Sequence, residues 1–355
     1  MESHSLFLPH RSSLQVILES ALCIILNIVS LSGNTMVILA VYRNRRLRRT
    51  TNLYIIALAV SDLSCAAIEM PLTSATLITG SWIFGDATCQ MEAFVDVFVT
   101  YVSPVTIGLT AFNRYVRIVK ATRYNKIFSP RRSKLFLSLV WLLLFLYIVV
   151  AQSTGWQKFV FTPGYATCII GHLSERRKLI HYAVLGLFCF IIPLAVSSYS
   201  YFKVFQKIHG HNLMITPHLQ KSLSRAKITL NEIKMVKSLF FVLASIFLCW
   251  VPFWVILITE RFSLAPIYRD IQMLAVLLLF LSSTINPFIY AFTNRAFRRE
   301  FLKIVFTWKP VRRQTKQGTV QRVAVSTPWP PTCLVKQHSF PRVRNHSWSP
   351  NTNLI

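Results

Sequence analysis

The sequence predicts an all-α membrane protein: a seven-transmembrane helix bundle, followed by a short amphipathic helix on the membrane surface. Of the 355 residues 53% are hydrophobic and only 14% are charged, and the mean hydropathy is +0.47. A soluble domain carries about 25% charged residues. The apolar residues also form seven long runs, each sufficient for a helix across about 30 Å of hydrocarbon. A soluble bundle is disfavoured, because its helices would alternate polar with apolar faces.

These seven runs define the predicted spans. Five of them are uncharged: Ser20 to Tyr42, Leu135 to Gln157, Leu179 to Phe202, Ser238 to Thr259 and Ile271 to Asn294. The other two, Asn52 to Trp82 and Asp96 to Asn113, contain only isolated acids. Asp96 and Arg114 are 18 residues apart, which corresponds to five helical turns or ~27 Å. The two charges therefore share one face, at opposite ends of the third span.

The basic residues are distributed unevenly between the two sides of the membrane. Of the 39 lysines and arginines, 32 fall in the loops after spans one, three and five and in the C-terminal tail. This asymmetry follows the positive-inside rule and predicts an outer N-terminus and a cytoplasmic C-terminus. Membrane orientation therefore explains the basic excess, and no nucleic-acid partner is expected.

The chain divides into three predicted regions. Residues 1–13 form an extracellular N-terminus, 14–308 a seven-transmembrane receptor domain, and 309–355 a disordered cytoplasmic tail that is rich in polar residues and contains "STPWPP". Residues 294–306 alternate bases with apolar residues, which is typical of an amphipathic helix on the inner membrane surface. Only Cys89 and Cys168 lie on the oxidising outer side, where a disulfide would tie span three to the loop after span four.

An ordered series of motifs resembles the rhodopsin-like family of G protein-coupled receptors. The series runs through the spans in order: "GN" at Gly33-Asn34, "LAVSDL" with Asp62, "SWIFG" with Trp82, Cys89, "NRY" at Asn113-Arg114-Tyr115, Trp141, Pro193 with Tyr201, "CWVP" ending at Pro252, and "NPFIY" from Asn286 to Tyr290. Each motif alone is weak, but the ordered set is specific. The resemblance implies a receptor that activates heterotrimeric G proteins.

The resemblance also implies a polar cluster inside the bundle. An acid deep in a span is costly and normally faces water or a polar interior. The family places a sodium ion and water beside the acid that Asp62 resembles. The expected cluster contains Asn34, Asp62, Ser103, Ser282 and Asn286, with Asp62 and Ser103 as sodium ligands. A protonated, hydrogen-bonded Asp62 is the alternative.

The inner ends of the spans are expected to carry the switch and the G protein contact. The resemblance assigns these roles to Asn113, Arg114, Tyr115, Tyr201, Glu232, Pro252, Pro287 and Tyr290. The two prolines permit bends at which spans pivot. Asn113 replaces the usual acid before the arginine, a variant also seen in melatonin receptors, so Glu232 on span six is expected to hold Arg114 at rest.

The outer cavity is expected to bind the ligand. Asp96 resembles the acid with which biogenic amine receptors pair the ligand ammonium. Glu92 and Glu69 add negative charge, and Trp250, Phe253, Trp254 and Phe280 are expected to line the site, some through cation–π contacts. Span five lacks the serines of catecholamine receptors, so a peptide or melatonin-like ligand remains an alternative. Span seven has no lysine, so we do not expect retinal.

The sequence therefore predicts a multi-pass plasma-membrane receptor for a small extracellular ligand, best interpreted as a cationic biogenic amine. Besides a G protein, the expected partners are membrane lipid and, at the tail, arrestin and receptor kinases. A transporter or channel is the alternative from another class, although we see neither repeats nor broken helices. An enzyme is not expected, because the chain has no HExxH, GxSxG or P-loop signature. Apart from the sodium ion, no cofactor is expected.

Overall fold

The structure is a computed structural model that describes residues 6–171, 174–213, 230–262 and 267–306. Within its helices, the side chains of residues 208–213, 230–239, 242, 246 and 261 are not described. The described residues include seven helices that are long and apolar enough to cross a membrane, as predicted. The tail, residues 309–355, lies outside the described residues.

The seven spans occur in the predicted order. Spans one to four are Ser13–Arg43, Thr50–Thr79, Gly85–Val119 and Pro130–Ser153. Span five is a continuous helical segment, Glu175–Leu213, and spans six and seven are Leu230–Arg261 and Arg269–Thr293. Shorter helical segments follow spans one, three and seven: Arg45–Leu47, Ala121–Ile127 and Arg295–Phe306.

Local sequence signals explain where several helices begin and end. Ser12 and Gln15 form a reciprocal capping box at the start of span one. Ser129 caps span four, and Pro130 occupies the first turn, where its missing N–H has no cost. Span two ends at Gly80, whose φ of 75° favours glycine.

Span three is the centre of the bundle, whereas span four is largely peripheral. Span three packs against spans two, four, five and six. Span four buries only Ser133, Leu144, Ile148 and Ala151 and exposes a broad apolar surface. An exposed apolar surface of this extent is expected to face lipid.

Two wide helical turns interrupt the regular spans. Cys65–Glu69 in span two and Gly186–Ile191 in span five are π-helical, so each adds a residue to a turn. In span two the N–H of Met70 donates to the carbonyl of Cys65. Pro71 follows directly and has no N–H of its own, which favours a break in the regular ladder. Sequence periodicity did not predict either turn.

A β-hairpin lies between spans four and five. Its antiparallel strands, β1 (Phe159–Thr162) and β2 (Thr167–Ile170), pair Phe161 with Cys168. We call the end of the bundle that carries this hairpin the hairpin end, and the end that carries Arg114 the opposite end.

The N-terminal segment is tied to the hairpin end by a compact ionic cluster. Arg269 at the start of span seven makes a two-pronged contact with Glu19 of span one, with Nη2 to Oε2 at 2.6 Å. Arg11 lies 3.6 Å from the same carboxylate. Burial and the nearby Arg269 both lower the pKa of Arg11. The cluster explains how span one accommodates a charged residue before its uncharged run: Glu19 is paired with Arg269 of span seven.

Candidate functional site

The hairpin is fixed over the hairpin end of span three by several bonds. Cys89 and Cys168 form the predicted disulfide. One turn along span three, Glu92 Oε2 accepts a hydrogen bond from the backbone N–H of Cys168 at 3.1 Å. Gln90 Nε2 donates to the carbonyl of Phe159 at 3.1 Å. Both strands of the hairpin are therefore held to span three.

A cavity lies beneath the hairpin, between spans two, three, five, six and seven. Its volume is about 50 Å³. Its polar side is made by Glu69 and Asp96 on adjacent spans, and no lysine, arginine or histidine is among its described lining residues. Its aromatic walls are Tyr101, Tyr165, Tyr182, Phe253 and Trp254. An acidic wall facing aromatic rings suits a cation.

The two acids of the cavity are in direct contact. The carboxyl groups of Glu69 and Asp96 lie side by side on the cavity wall, and Thr100 Oγ1 donates to Asp96 Oδ1 at 3.3 Å. Glu69 is only 4% exposed. It is the last residue of the π-helical turn in span two, which places it beside Asp96.

The structure separates the predicted ligand-binding residues into two groups. Asp96, Glu69, Phe253 and Trp254 line the cavity. Glu92, Trp250 and Phe280 do not line it: Glu92 holds the hairpin, and the other two are buried in the core. The sequence reasoning missed the cavity residues Thr100, Tyr101, Tyr165 and Tyr182. Composition does not predict that these four residues line the cavity. The available signal was that each is a polar residue within or between apolar runs.

Trp250 connects the cavity to span seven. Its ring meets that of Phe253 edge-on, with centroids 6.3 Å apart. Its indole N–H donates to Ser282 Oγ at 2.9 Å. Asn286, one turn further along span seven, donates from Nδ2 to Asp62 Oδ2 at 2.9 Å. Buried contacts therefore run from the cavity wall to the centre of span two.

Four of the five residues expected in the polar cluster make three separate sets of hydrogen bonds, and the cluster itself stays a prediction. Asp62 bonds Asn286, Asn34 Nδ2 donates to the carbonyl of Ser283 at 3.1 Å, and Ser103 pairs with Ser61 at 3.2 Å. The side-chain oxygens of Asn34 and Asn286 are buried without a hydrogen-bond partner in the described part of the chain. These oxygens, the Asp62 carboxylate and the serine hydroxyls are hard ligands that fit a sodium ion.

At the opposite end, Arg114 is almost fully buried, with 2% exposed. Its neighbour Asn113 donates from Nδ2 to the hydroxyl of Tyr124 at 3.5 Å, on the short helix after span three. Tyr201 and Tyr290 are also buried, and both line one small cavity. Tyr115 contacts the ring of Tyr199 on span five. The Glu232 side chain lies outside the described residues, so its contact with Arg114 stays a prediction.

Comparisons with known proteins identify the class. The family described as 7 transmembrane receptor (rhodopsin family) matches residues 33–290, and the chain therefore belongs to the rhodopsin family of seven-transmembrane receptors. It is accordingly a multi-pass plasma-membrane receptor, not an enzyme, that couples an extracellular ligand to a G protein.

Individual relatives are more distant. The melatonin receptor type 1A of Mus musculus is 27% identical over 282 residues, which cover 78% of this chain and 77% of that receptor. The histamine H2 receptor of Canis lupus familiaris is 26% identical over 314 residues, covering 88% and 84%. The crystal structure of squid rhodopsin superposes with a TM-score of 0.70 at 22% identity, covering 84% of this chain and 87% of that one. That likeness concerns the fold alone.

Proposed function

We propose that this receptor binds a small cationic amine in the cavity beneath the hairpin and passes its occupancy to a heterotrimeric G protein. The observation that carries the proposal is the contact between Glu69 and Asp96, in a cavity whose described lining includes no base. Arg269, the described base at the start of span seven, is already paired with Glu19. The acids therefore require a cation or a proton from elsewhere.

The orientation is part of the same proposal. The hairpin end faces outside, with residues 1–13, and the C-terminal tail 309–355 lies in the cytoplasm. The positive-inside distribution of bases supports this orientation, as does the Cys89–Cys168 disulfide, because disulfides persist in oxidising compartments. The helix Arg295–Phe306 then lies on lipid at the inner surface, and the tail is available to arrestin and receptor kinases.

The names of the relatives offer two ligand types. Histamine carries an aliphatic ammonium at neutral pH, whereas melatonin is an uncharged amide. The acidic pair favours the first type. A melatonin-like neutral ligand is the second candidate, supported by the "NRY" sequence at Asn113 to Tyr115 and by the similarity to melatonin receptors types 1A and 1B. A peptide is disfavoured by the hairpin, which covers the cavity.

Transmission begins along the buried contacts that run from the cavity through Trp250 to Asp62. A ligand that packs against Phe253 biases the ring of Trp250, and span six pivots at Pro252. The family's sodium ion would be held by Asp62 and Ser103, with Asn34, Ser282 and Asn286 around it, and would stabilise the resting arrangement. Movement of span six separates Glu232 from Arg114, which then meets the G protein beside Tyr115, Tyr201 and Tyr290. The ligand must prefer the active arrangement, since equal affinity shifts no equilibrium.

The test is guanine-nucleotide exchange on a panel of G proteins, in membranes that carry the full chain. Histamine, serotonin, tyramine, melatonin and a set of peptides are applied in turn. We expect exchange with at least one amine. Exchange with melatonin or peptides alone would replace the amine by the corresponding alternative, and ion flux without exchange would contradict the receptor mechanism.

A further inference from the structure

We propose that the Glu69–Asp96 pair selects ligands with an unsubstituted ammonium group, and that Trp254 selects a hydrogen-bond acceptor at the other end of the ligand. This inference rests on the proposed amine function and specifies the chemical class of amine. It assigns a role in specificity to Glu69, on span two, in addition to the acid on span three.

The first argument concerns the number of acceptors. Glu69 and Asp96 present two carboxyl groups side by side on the cavity wall. With one proton on the pair, the two carboxyl groups together still carry one negative charge. An incoming –NH₃⁺ group has three N–H donors and can bond both carboxyls at once. A tertiary ammonium has one N–H and satisfies only one of them.

The second argument is an unused donor on another wall of the cavity. Trp254 lines the cavity and is 5% exposed, and its indole Nε1–H has no acceptor among the described residues. A buried donor without a partner is unfavourable. An acceptor on the ligand, such as a phenolic oxygen or an imidazole nitrogen, would satisfy it. The acids on spans two and three therefore recognise the ammonium group of the ligand. Trp254 on span six recognises its hydrogen-bond acceptor.

The geometry around Trp254 restricts how that acceptor is presented. The indole packs against Tyr101 and Phe190, with ring centroids 6.2 and 5.4 Å away. Gly186 lies beside it, and a side chain there would approach Trp254 Cζ3 at 4.0 Å. The ring is therefore held in place by its neighbours, which gives its N–H a fixed direction.

The experiment compares matched amines on the full-length receptor. Histamine, serotonin and tyramine are each tested with their N,N-dimethyl derivatives, by the concentration that gives half-maximal nucleotide exchange. On the wild type we expect each primary amine to act at a concentration about tenfold or more below that of its dimethyl form. Glu69→Leu should remove most of this difference by weakening the primary amines, with little effect on the dimethyl forms.

Two further variants protect the test against misfolding. Glu69→Gln keeps the size of the side chain and should also reduce the preference for primary amines at equal surface expression. Asp270→Asn removes an acid that is exposed and outside the cavity, and should leave the preference intact.

The role of the indole has a test of its own. Trp254→Phe should make tyramine no more potent than phenethylamine, which lacks the acceptor.

The possible results distinguish a failure of this inference from a failure of the proposed amine function. Equal potency of primary and dimethyl amines on the wild type, or an unchanged preference in both Glu69 variants, overturns the inference and leaves the amine function standing. An unchanged advantage of tyramine in Trp254→Phe overturns the role of the indole. No response to any of these amines overturns the proposed function, and this inference with it.

Discussion

Tyr165, at the turn of the hairpin, donates a hydrogen bond from its hydroxyl to Oε2 of Glu260 on span six. The hairpin itself is fixed to span three by the disulfide and by Glu92. Tyr165 also lines the cavity and is only 2% exposed. The bond therefore joins the cover of the cavity to the span that carries Trp250, and it closes one side of the cavity.

The first prediction concerns ligand exchange through this cover. Tyr165→Phe keeps the ring and removes the hydroxyl, so the bond to Glu260 is lost. A hydrogen bond to a charged group contributes about 1.5–3 kcal/mol, and we expect ligand dissociation to be roughly tenfold faster or more. The measurement is the dissociation rate of a radiolabelled ligand. Tyr268→Phe is the matched control, since Tyr268 is 75% exposed; an unchanged rate in Tyr165→Phe would contradict the prediction.

The second prediction concerns the bond between Trp250 and Ser282. Ser282→Ala leaves the indole N–H buried without its acceptor, at a cost of about 1–3 kcal/mol in the arrangement described. We assign this arrangement to the resting receptor, so its loss should raise signalling without ligand. Nucleotide exchange at equal surface expression measures the effect. Ser282→Thr restores a hydroxyl and should return basal exchange toward the wild-type level. Equal basal exchange in Ser282→Ala and wild type would refute the assignment of the Trp250–Ser282 bond to the resting receptor.

The third prediction concerns the packing of span one on span seven. A Cβ atom on Gly33 would lie 2.9 Å from Cγ of Pro287, closer than van der Waals contact allows. Overpacking of this kind costs about 1–3 kcal/mol, so Gly33→Ala should lower the melting temperature of the purified receptor. Ser32→Ala is the control, because its exposed hydroxyl bonds only carbonyls of its own helix. Equal melting temperatures for the wild type, Gly33→Ala and Ser32→Ala would contradict the prediction, because spans one and seven would then accommodate the added methyl group without loss of stability.

The sequence predicted the spans and the disulfide because strong constraints act there. A bilayer requires long apolar helices, so the runs of uncharged residues determine the spans directly. Asp96 lines the cavity, and its face of span three follows from helical periodicity, but its role in ligand binding stays a prediction.

The details of the site depend on tertiary contacts that the pattern does not encode. Glu92 lies one turn from Asp96, yet its carboxylate accepts a hydrogen bond from the backbone N–H of Cys168 and does not line the cavity. Glu69 reaches Asp96 through a π-helical turn, which shifts every later residue of span two relative to a regular helix. The pairing of Glu19 with Arg269 joins residues 250 positions apart. None of these arrangements follows from local periodicity.

The central claim is that Asp96 pairs with a cationic ligand, and one measurement tests it most directly. Radioligand binding and agonist dose-response are compared for wild type, Asp96→Asn and Asp96→Glu, with Asp270→Asn as the control for loss of an acid at the same end. For Asp96→Asn we expect a loss of about 2–5 kcal/mol of binding, a rise in Kd of roughly 30-fold or more. Surface expression should be unchanged, because a neutral amide is easier to bury than a carboxylate. Full affinity in a well-expressed Asp96→Asn receptor would contradict the account and leave a neutral ligand or a peptide in its place.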